Sequence, residues 1–287
     1  MTEVLPSLRV GLAQVDADLG NVSANVDRAI AVIESARGRA DLLVFPELAL
    51  TGYTVGNRFH DLALRTDDPL FRRLVEATGD SDLAAAVGFV EETDAFQFFN
   101  SLAFIQRGRL LHTHRKIYLP NYGVFEERKF FSAGRNFDTL DVGRFRLAPF
   151  ICGDAWNPAS VHLAAADQAH VLVISACSPD GVLGSRLSTR ENWKRLNRFY
   201  AAVFGCYVVF VNRRGSEGPL KFWGESEMID PFGQVVAASA GDAEELIVGE
   251  ATLAQIREAR TVLHTLRDDD WSFFERRVGK IMARHYI

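Results

Sequence analysis

The 287-residue chain holds few cysteines, and they form no pattern: Cys152, Cys177 and Cys206 are odd in number and include no CxxC pair. That excludes a disulfide framework and fits a reducing compartment. No Lys/Arg-rich stretch interrupts the interspersed charges, so neither a nucleic acid nor an anionic membrane is an expected partner. The net charge of -5 suits an enzyme of small molecules and decides little else. No apolar run is long enough to cross a bilayer. Met1 to Val10 lacks a basic segment followed by an apolar one, so no signal peptide is expected and the expected location is the cytoplasm. The glycines form neither a GxGxxG nor a P-loop pattern, which leaves no nucleotide site and no cofactor to expect. Linkers, low-complexity stretches and internal repeats are likewise missing.

What is present is an ordinary globular composition, 48% apolar and 24% charged. A chain of this length buries about three quarters of its unfolded surface and needs no metal or disulfide to hold it. The sequence predicts a strand over 8–15 and an amphipathic helix over 21–36, with Val22, Val26, Ile30 and Ile33 at helical spacing and Asn21 as its cap. A compact apolar strand over 42–45 runs into Pro46, which ends it and leaves Glu47 at the tip. Further helices are expected over 70–77, 158–169, 188–204 and 253–260. Further strands are expected over 83–90, 147–152, 171–175, 207–211 and 246–250, with Pro149 an awkward residue inside one of them. Residues 101–106 and 110–114 form an expected hairpin, and 223–229 and 234–238 another, around the turn Asp230-Pro231-Phe232-Gly233. Residues 119–134 read as an irregular loop, and the tail from Asp268 onward is charged and aromatic. Helices and strands intermix, which points to a single α/β domain over 1–287 with a tail from about 261.

Three reactive side chains share a place: Glu47, Lys116 and Cys152 each stand where an apolar strand stops. Ligands of α/β proteins bind at such strand ends. A carboxylate, an amine and a thiol there make a coherent centre for attack on a carbonyl carbon. The carboxylate takes the thiol proton and returns it to a leaving nitrogen. The ammonium favours the thiolate and, with the backbone N–H of Gly153, donates to an oxyanion. Taken singly, each residue has a plain alternative: a small core cysteine, a solvated lysine, a loop acid.

Longer blocks sharpen the picture. Residues 43–53 read LVFPELALTGY, 114–128 read HRKIYLPNYGVFEER, and 151–156 read ICGDAW. In order, spacing and flanks the chain resembles the nitrilase, or carbon–nitrogen hydrolase, superfamily along almost its whole length. Trp223-Gly224-Glu225-Ser226 and Asp230-Pro231-Phe232-Gly233 resemble the family's closing strand pair. The resemblance implies a four-layer α-β-β-α sandwich, homodimers or higher homo-oligomers, and a triad of Glu47 as general base, Lys116 as stabiliser and Cys152 as nucleophile. It also implies a second glutamate after the lysine, matched best by Glu127, with Glu126 adjacent. Among subgroups, residues 119–125 and the Cys152-x-Asp154-x-Trp156 pattern are most similar to the glutaminase domain of glutamine-dependent NAD synthetases. Two departures stand out. No synthetase half follows before Ile287, and Gly153 replaces an acidic residue. True nitrilases place Trp and Glu after the nucleophile, where this chain has Gly153 and Asp154, so amide cleavage is expected over nitrile cleavage.

The expected substrate is therefore a small linear amide. A glutaminase subunit with a separate synthetase partner, an N-carbamoyl hydrolase and a non-catalytic module of the same fold remain alternatives. Tyr53, Tyr122, Gly153, Trp156, Ser175 and Cys177 are candidates for the pocket, each with plain packing as its alternative. Arg213-Arg214-Gly215 could hold a substrate carboxylate, although a solvated loop is the default. His112 and His114 alternate on one strand face but lack the companions of a metal site, so no metal is expected. Cys206, Phe96, Phe98 and Phe99 read as packing.

Overall fold

Local signals start most of the helices as the sequence predicts. The structure, a computed structural model, describes residues 5–184 and 186–286; the first four residues of the segment searched for a signal peptide lie outside them. The chain runs β1 (Ser7–Gln14), α1 (Val22–Ala36), β2 (Leu42–Val44), α2 (Phe59–Leu62), α3 (Pro69–Glu76) and β3 (Ala84–Glu92). It continues through β4 (Phe98–Gln106), β5 (Arg109–Arg115), α4 (Glu127–Phe130), β6 (Leu140–Val142), β7 (Phe145–Ile151), α5 (Pro158–Ala166) and β8 (Val171–Ala176). Then follow α6 (Thr189–Phe204), β9 (Tyr207–Asn212), β10 (Arg214–Glu217), β11 (Leu220–Trp223), β12 (Glu227–Ile229), β13 (Val235–Ala238), β14 (Glu245–Thr252), α7 (Leu253–Val262) and α8 (Trp271–His285). Asn21 caps α1 by accepting the Ala24 N–H, and Ser188 caps α6 by accepting that of Glu191. Gly205 closes α6 with φ 55, a left-handed turn that suits glycine.

The strands form two six-stranded sheets, ordered β14-β1-β2-β3-β4-β5 and β13-β12-β9-β8-β7-β6, with β10 and β11 as a separate ribbon. Their apolar runs are buried on both faces, which is why they read as continuous rather than alternating. Leu42 and Val44 of β2 meet Leu147, Val173 and Val209 in a core between the sheets, whereas Leu43 faces Val26, Ile33 and Phe71 of α1 and α3. On the far side Phe150 and Phe210 pack against Val161 of α5 and Trp193 and Tyr200 of α6. The result is the α-β-β-α sandwich, with strand ends from both sheets converging on one rim.

Pro149 does lie inside a strand. Val142 pairs with Phe145 across the β6–β7 turn, and β6 has ended beyond Leu147. Two residues after Pro149, the Ile151 N–H donates to the Asp154 side chain and not to a strand. The missing proline N–H therefore falls on a flank that no ladder needs. The expected strand over 223–229 is split, because Gly224 (φ 65) and Glu225 (φ 50) turn the chain left-handed between β11 and β12. The expected loop over 119–134 contains α4, and the tail forms α8, capped by Asp270.

Gly88 of β3 shows how tightly the first sheet holds the residue after Pro46. A Cβ there would lie 2.5 Å from both the Leu48 nitrogen and the Pro46 oxygen. Gly88→Ala is expected to lose about 1–3 kcal/mol of stability through overpacking. Urea unfolding reads this as a lowered midpoint, and an unchanged midpoint would show that the 46–48 segment can move away at no cost.

Candidate active site

Three strand ends deliver the site. Glu47 lies three residues beyond β2, Lys116 directly follows β5, and Cys152 directly follows β7. Cys152 has φ 44 and begins a single turn of 3-10 helix over Cys152–Trp156. Leu48, next to Glu47, has φ 48. Such backbone costs on the order of 1–3 kcal/mol per residue and persists only where its surroundings hold it.

Lys116 is fully buried, and its ammonium donates to Glu47 Oε1 at 2.6 Å and to Glu127 Oε1 at 2.7 Å. Burial alone would lower its pKa, but the carboxylates of Glu127 and Glu47 outweigh that and push it well above the ordinary value. The lysine is therefore a fixed cation. Glu47 also accepts from Asn100 Nδ2 on Oε1 and from the Cys177 N–H on Oε2, both at 2.8 Å. A carboxylate has about four lone-pair sites; those three donors leave one, on Oε2, open for a proton.

Glu127 is buried whereas Glu126 is exposed, 4.0 Å from the Lys129 ammonium, so the structure separates the two glutamates. Its Oε1 also accepts from the Tyr53 hydroxyl at 2.6 Å, and its buried Oε2 has no partner among the described residues. Burial raises its pKa to about 7, with Lys116 pulling it down and Glu47 pushing it up. The proton it then carries belongs on Oε2.

Cys152 departs from expectation. Burial, then Glu47, push its thiol well above the ordinary range, and Lys116 offsets this only in part. With two carboxyl groups around one ammonium, a thiolate would add an anion that the cluster cannot neutralise. The resting sulfur is a thiol, so any attack by it would have to be coupled to removal of its proton.

The remaining candidates fall into two groups. Gly153, Tyr122 and Trp156 line a cavity of about 720 Å³ together with Tyr118 and Arg128. A Cβ on Gly153 would lie 2.7 Å from the Tyr118 oxygen and 3.6 Å from Lys116 Cε, so the cavity floor abuts the lysine. Ser175 and Cys177 instead brace the cluster, and Tyr53 does so while also lining a separate cavity of about 230 Å³ with Glu126 and Glu127. Tyr53 holds Glu127, Ser175 Oγ donates to Phe45 O at 2.8 Å, and Cys177 Sγ donates to Glu47 O at 2.9 Å. Arg213 is neither a solvated loop residue nor free for a ligand: it is buried and bonded to Asp16 and Glu217. Glu217 in turn accepts from the N–H groups of Tyr53 and Thr54. His114 Nε2 bonds Asp154 at 2.9 Å, and no metal-holding group of His, Cys, Asp and Glu occurs among the described residues. Asn100 escaped the sequence analysis, although a polar Asn100-Ser101 pair inside an apolar strand was a visible signal.

The Carbon-nitrogen hydrolase family model matches residues 9–261. A glutamine-dependent NAD(+) synthetase of Thermotoga maritima is 31% identical over 250 residues, 86% of this chain and 42% of that protein. The chain thus spans under half the length of several curated relatives it matches. A 2-oxoglutaramate amidase of Bacillus subtilis is 28% identical over 266 residues, 91% of this chain and 98% of that protein. The crystal structure of a carbon-nitrogen hydrolase from Helicobacter pylori G27 superposes with a TM-score of 0.84 at 21% identity, covering 95% of this chain and 99% of that one, and shares its fold.

Glu127 gives the cluster a pH signature. Between the ordinary value of 4.5 and about 7, the folded chain keeps a proton on Glu127 that the unfolded chain has released. The unfolded state then binds fewer protons, so stability falls as pH rises through that window. The stability of the parent minus that of Glu127→Gln is expected to decline from pH 4.5 to about 7 and level off above it. Urea melts across this range check it; a difference that grows with pH would mean that Glu127 stays ionised throughout.

Proposed function

The chain belongs to the carbon–nitrogen hydrolase family, and from that premise we propose that it cleaves a small linear amide through a thioester on Cys152. The observation that carries this is the Glu47–Lys116–Glu127 cluster beside the half-buried thiol. Glu47 takes the Sγ proton on its open Oε2 site as sulfur attacks the carbonyl carbon. The Lys116 ammonium and the Gly153 N–H stabilise the oxyanion. Glu47 then passes the proton to the nitrogen, the C–N bond breaks, and ammonia or an amine leaves. Water attacks the thioester with Glu47 again taking a proton, and the carboxylic acid is released with the thiol restored.

A stand-alone amidase is supported by the match to the Bacillus subtilis 2-oxoglutaramate amidase along nearly all of both chains. The second reading, an ammonia-donating glutaminase that works with a synthetase chain, is supported by the likeness to part of the NAD(+) synthetases. Activity that appears only when such a partner is added would select it. Exposed Phe274, Val278 and Ile281 on α8, with Leu163 of α5 and Phe199 of α6 also exposed, support self-association as a homodimer.

The test is intact-protein mass spectrometry after brief mixing with simple amides, glutamine, 2-oxoglutaramate and N-carbamoyl compounds. The parent is expected to gain the mass of the acyl half and to release ammonia. Cys152→Ala is expected to remain folded, show no adduct and lose turnover by about 10⁴-fold or more. Turnover by the alanine variant at the parent's rate would end the proposal.

A further inference from the structure

Lys116 and Cys152 belong to different sheets, one after the edge strand β5 and one after the inner strand β7. Core packing between sheets is not directional, so it fixes their separation loosely. A single carboxylate bridges the two strand ends. Asp154 Oδ1 accepts from the N–H groups of Ile117 and Tyr118, each at 2.9 Å. These are the two peptides that follow Lys116. Its Oδ2 accepts from the Ile151 N–H at 3.0 Å, on the residue just before Cys152. The same oxygen accepts from His114 Nε2 at 2.9 Å, two residues before Lys116. All four donors lie within two residues of Lys116 or Cys152, and Asp154 is fully buried.

We propose that Asp154 is a positioning residue that sets the Lys116 ammonium against the Cys152 sulfur, with His114 anchoring it to the strand that carries the lysine. It rests on the amide-hydrolysis reading, in which both groups must converge on one carbonyl. The residue type follows from the donor count. A carboxylate accepts on both oxygens, whereas an asparagine would turn an NH₂ toward the Ile151 N–H or the peptides after Lys116. His114 serves as a donor here: Asp154 accepts from Nε2, and Nδ1 has no partner among the described residues. The bond from Asp154 to Ile151 also closes a short loop around Cys152, which holds that residue at its φ of 44.

The test uses Asp154→Asn, His114→Gln and His114→Ala, with circular dichroism to establish folding. On an amide that the parent hydrolyses, Asp154→Asn is expected to lower kcat about 100-fold with little change in KM, as for a displacement near 1 Å. His114→Gln, which keeps an N–H donor, is expected to retain turnover within about threefold, whereas His114→Ala loses about tenfold or more. Iodoacetamide labelling of Cys152 at pH 8, read by peptide mass, gives a readout that needs no substrate. Asp154→Asn is expected to slow it about tenfold, because the ammonium that favours the thiolate has moved. In a Lys116→Met background the same change is expected to slow it less than about twofold, since two groups acting through one another are non-additive. Equal slowing in both backgrounds, or failure of His114→Gln to outperform His114→Ala, would make Asp154 a folding staple only. If the parent hydrolyses no amide but labelling follows this pattern, Asp154 keeps its role and the amidase proposal falls.

Discussion

An ammonium with no access to water is the constraint on which the site depends. Burying Lys116 without partners would cost several kcal/mol, so carboxylates must reach it, and each carboxylate needs support of its own. Glu47 draws in Asn100 from β4 and the Cys177 N–H from the end of β8. Glu127 draws in Tyr53, whose backbone is held by Glu217 and, through it, by Arg213. The charge of one side chain thus accounts for buried polar residues on β4, in the loops beyond the strands and on the β10–β11 ribbon. Removing the lysine would leave two carboxyl groups facing each other, a loss that reaches beyond catalysis.

The same cluster explains why the nucleophile rests as a thiol. Burial and the Glu47 carboxylate together outweigh what the Lys116 ammonium gives the sulfur. Glu47 keeps one lone pair open within a shell that is otherwise full, and the proposed attack uses it. In the proposed reaction nucleophilicity comes from a proton acceptor fixed in place more than from a standing anion, and a resting thiol is less reactive toward passing oxidants and alkylating agents.

Much of this was legible in the sequence where local chemistry decides structure. The cap at Asn21, the strand stop at Pro46 and the three reactive strand ends needed only propensity and patterning, and the family resemblance supplied the four layers. What was not legible depended on contacts distant along the chain. Arg213 looks like a loop cation until Asp16, 197 residues away, is placed beside it. Nothing local tells Glu126 from Glu127; the turn of α4 exposes one and buries the other. Pro149 reads as a strand breaker because the early end of β6 cannot be seen from β7. The split at Gly224-Glu225 follows from a ribbon whose partner strand lies across a turn.

The first sheet carries a consequence of its own for how the protein is made. β1 lies between β2 and β14, and its register with β14 runs from Ser7 opposite Thr252 to Gln14 opposite Glu245. During synthesis β1 and β2 emerge well before β14, so one edge of β1 stays unpaired until β14 has been translated. That edge is an open template for other strands throughout elongation. Such separation along the chain slows closure of the sheet, so the scaffold behind Glu47 is complete only once β14 has returned to β1.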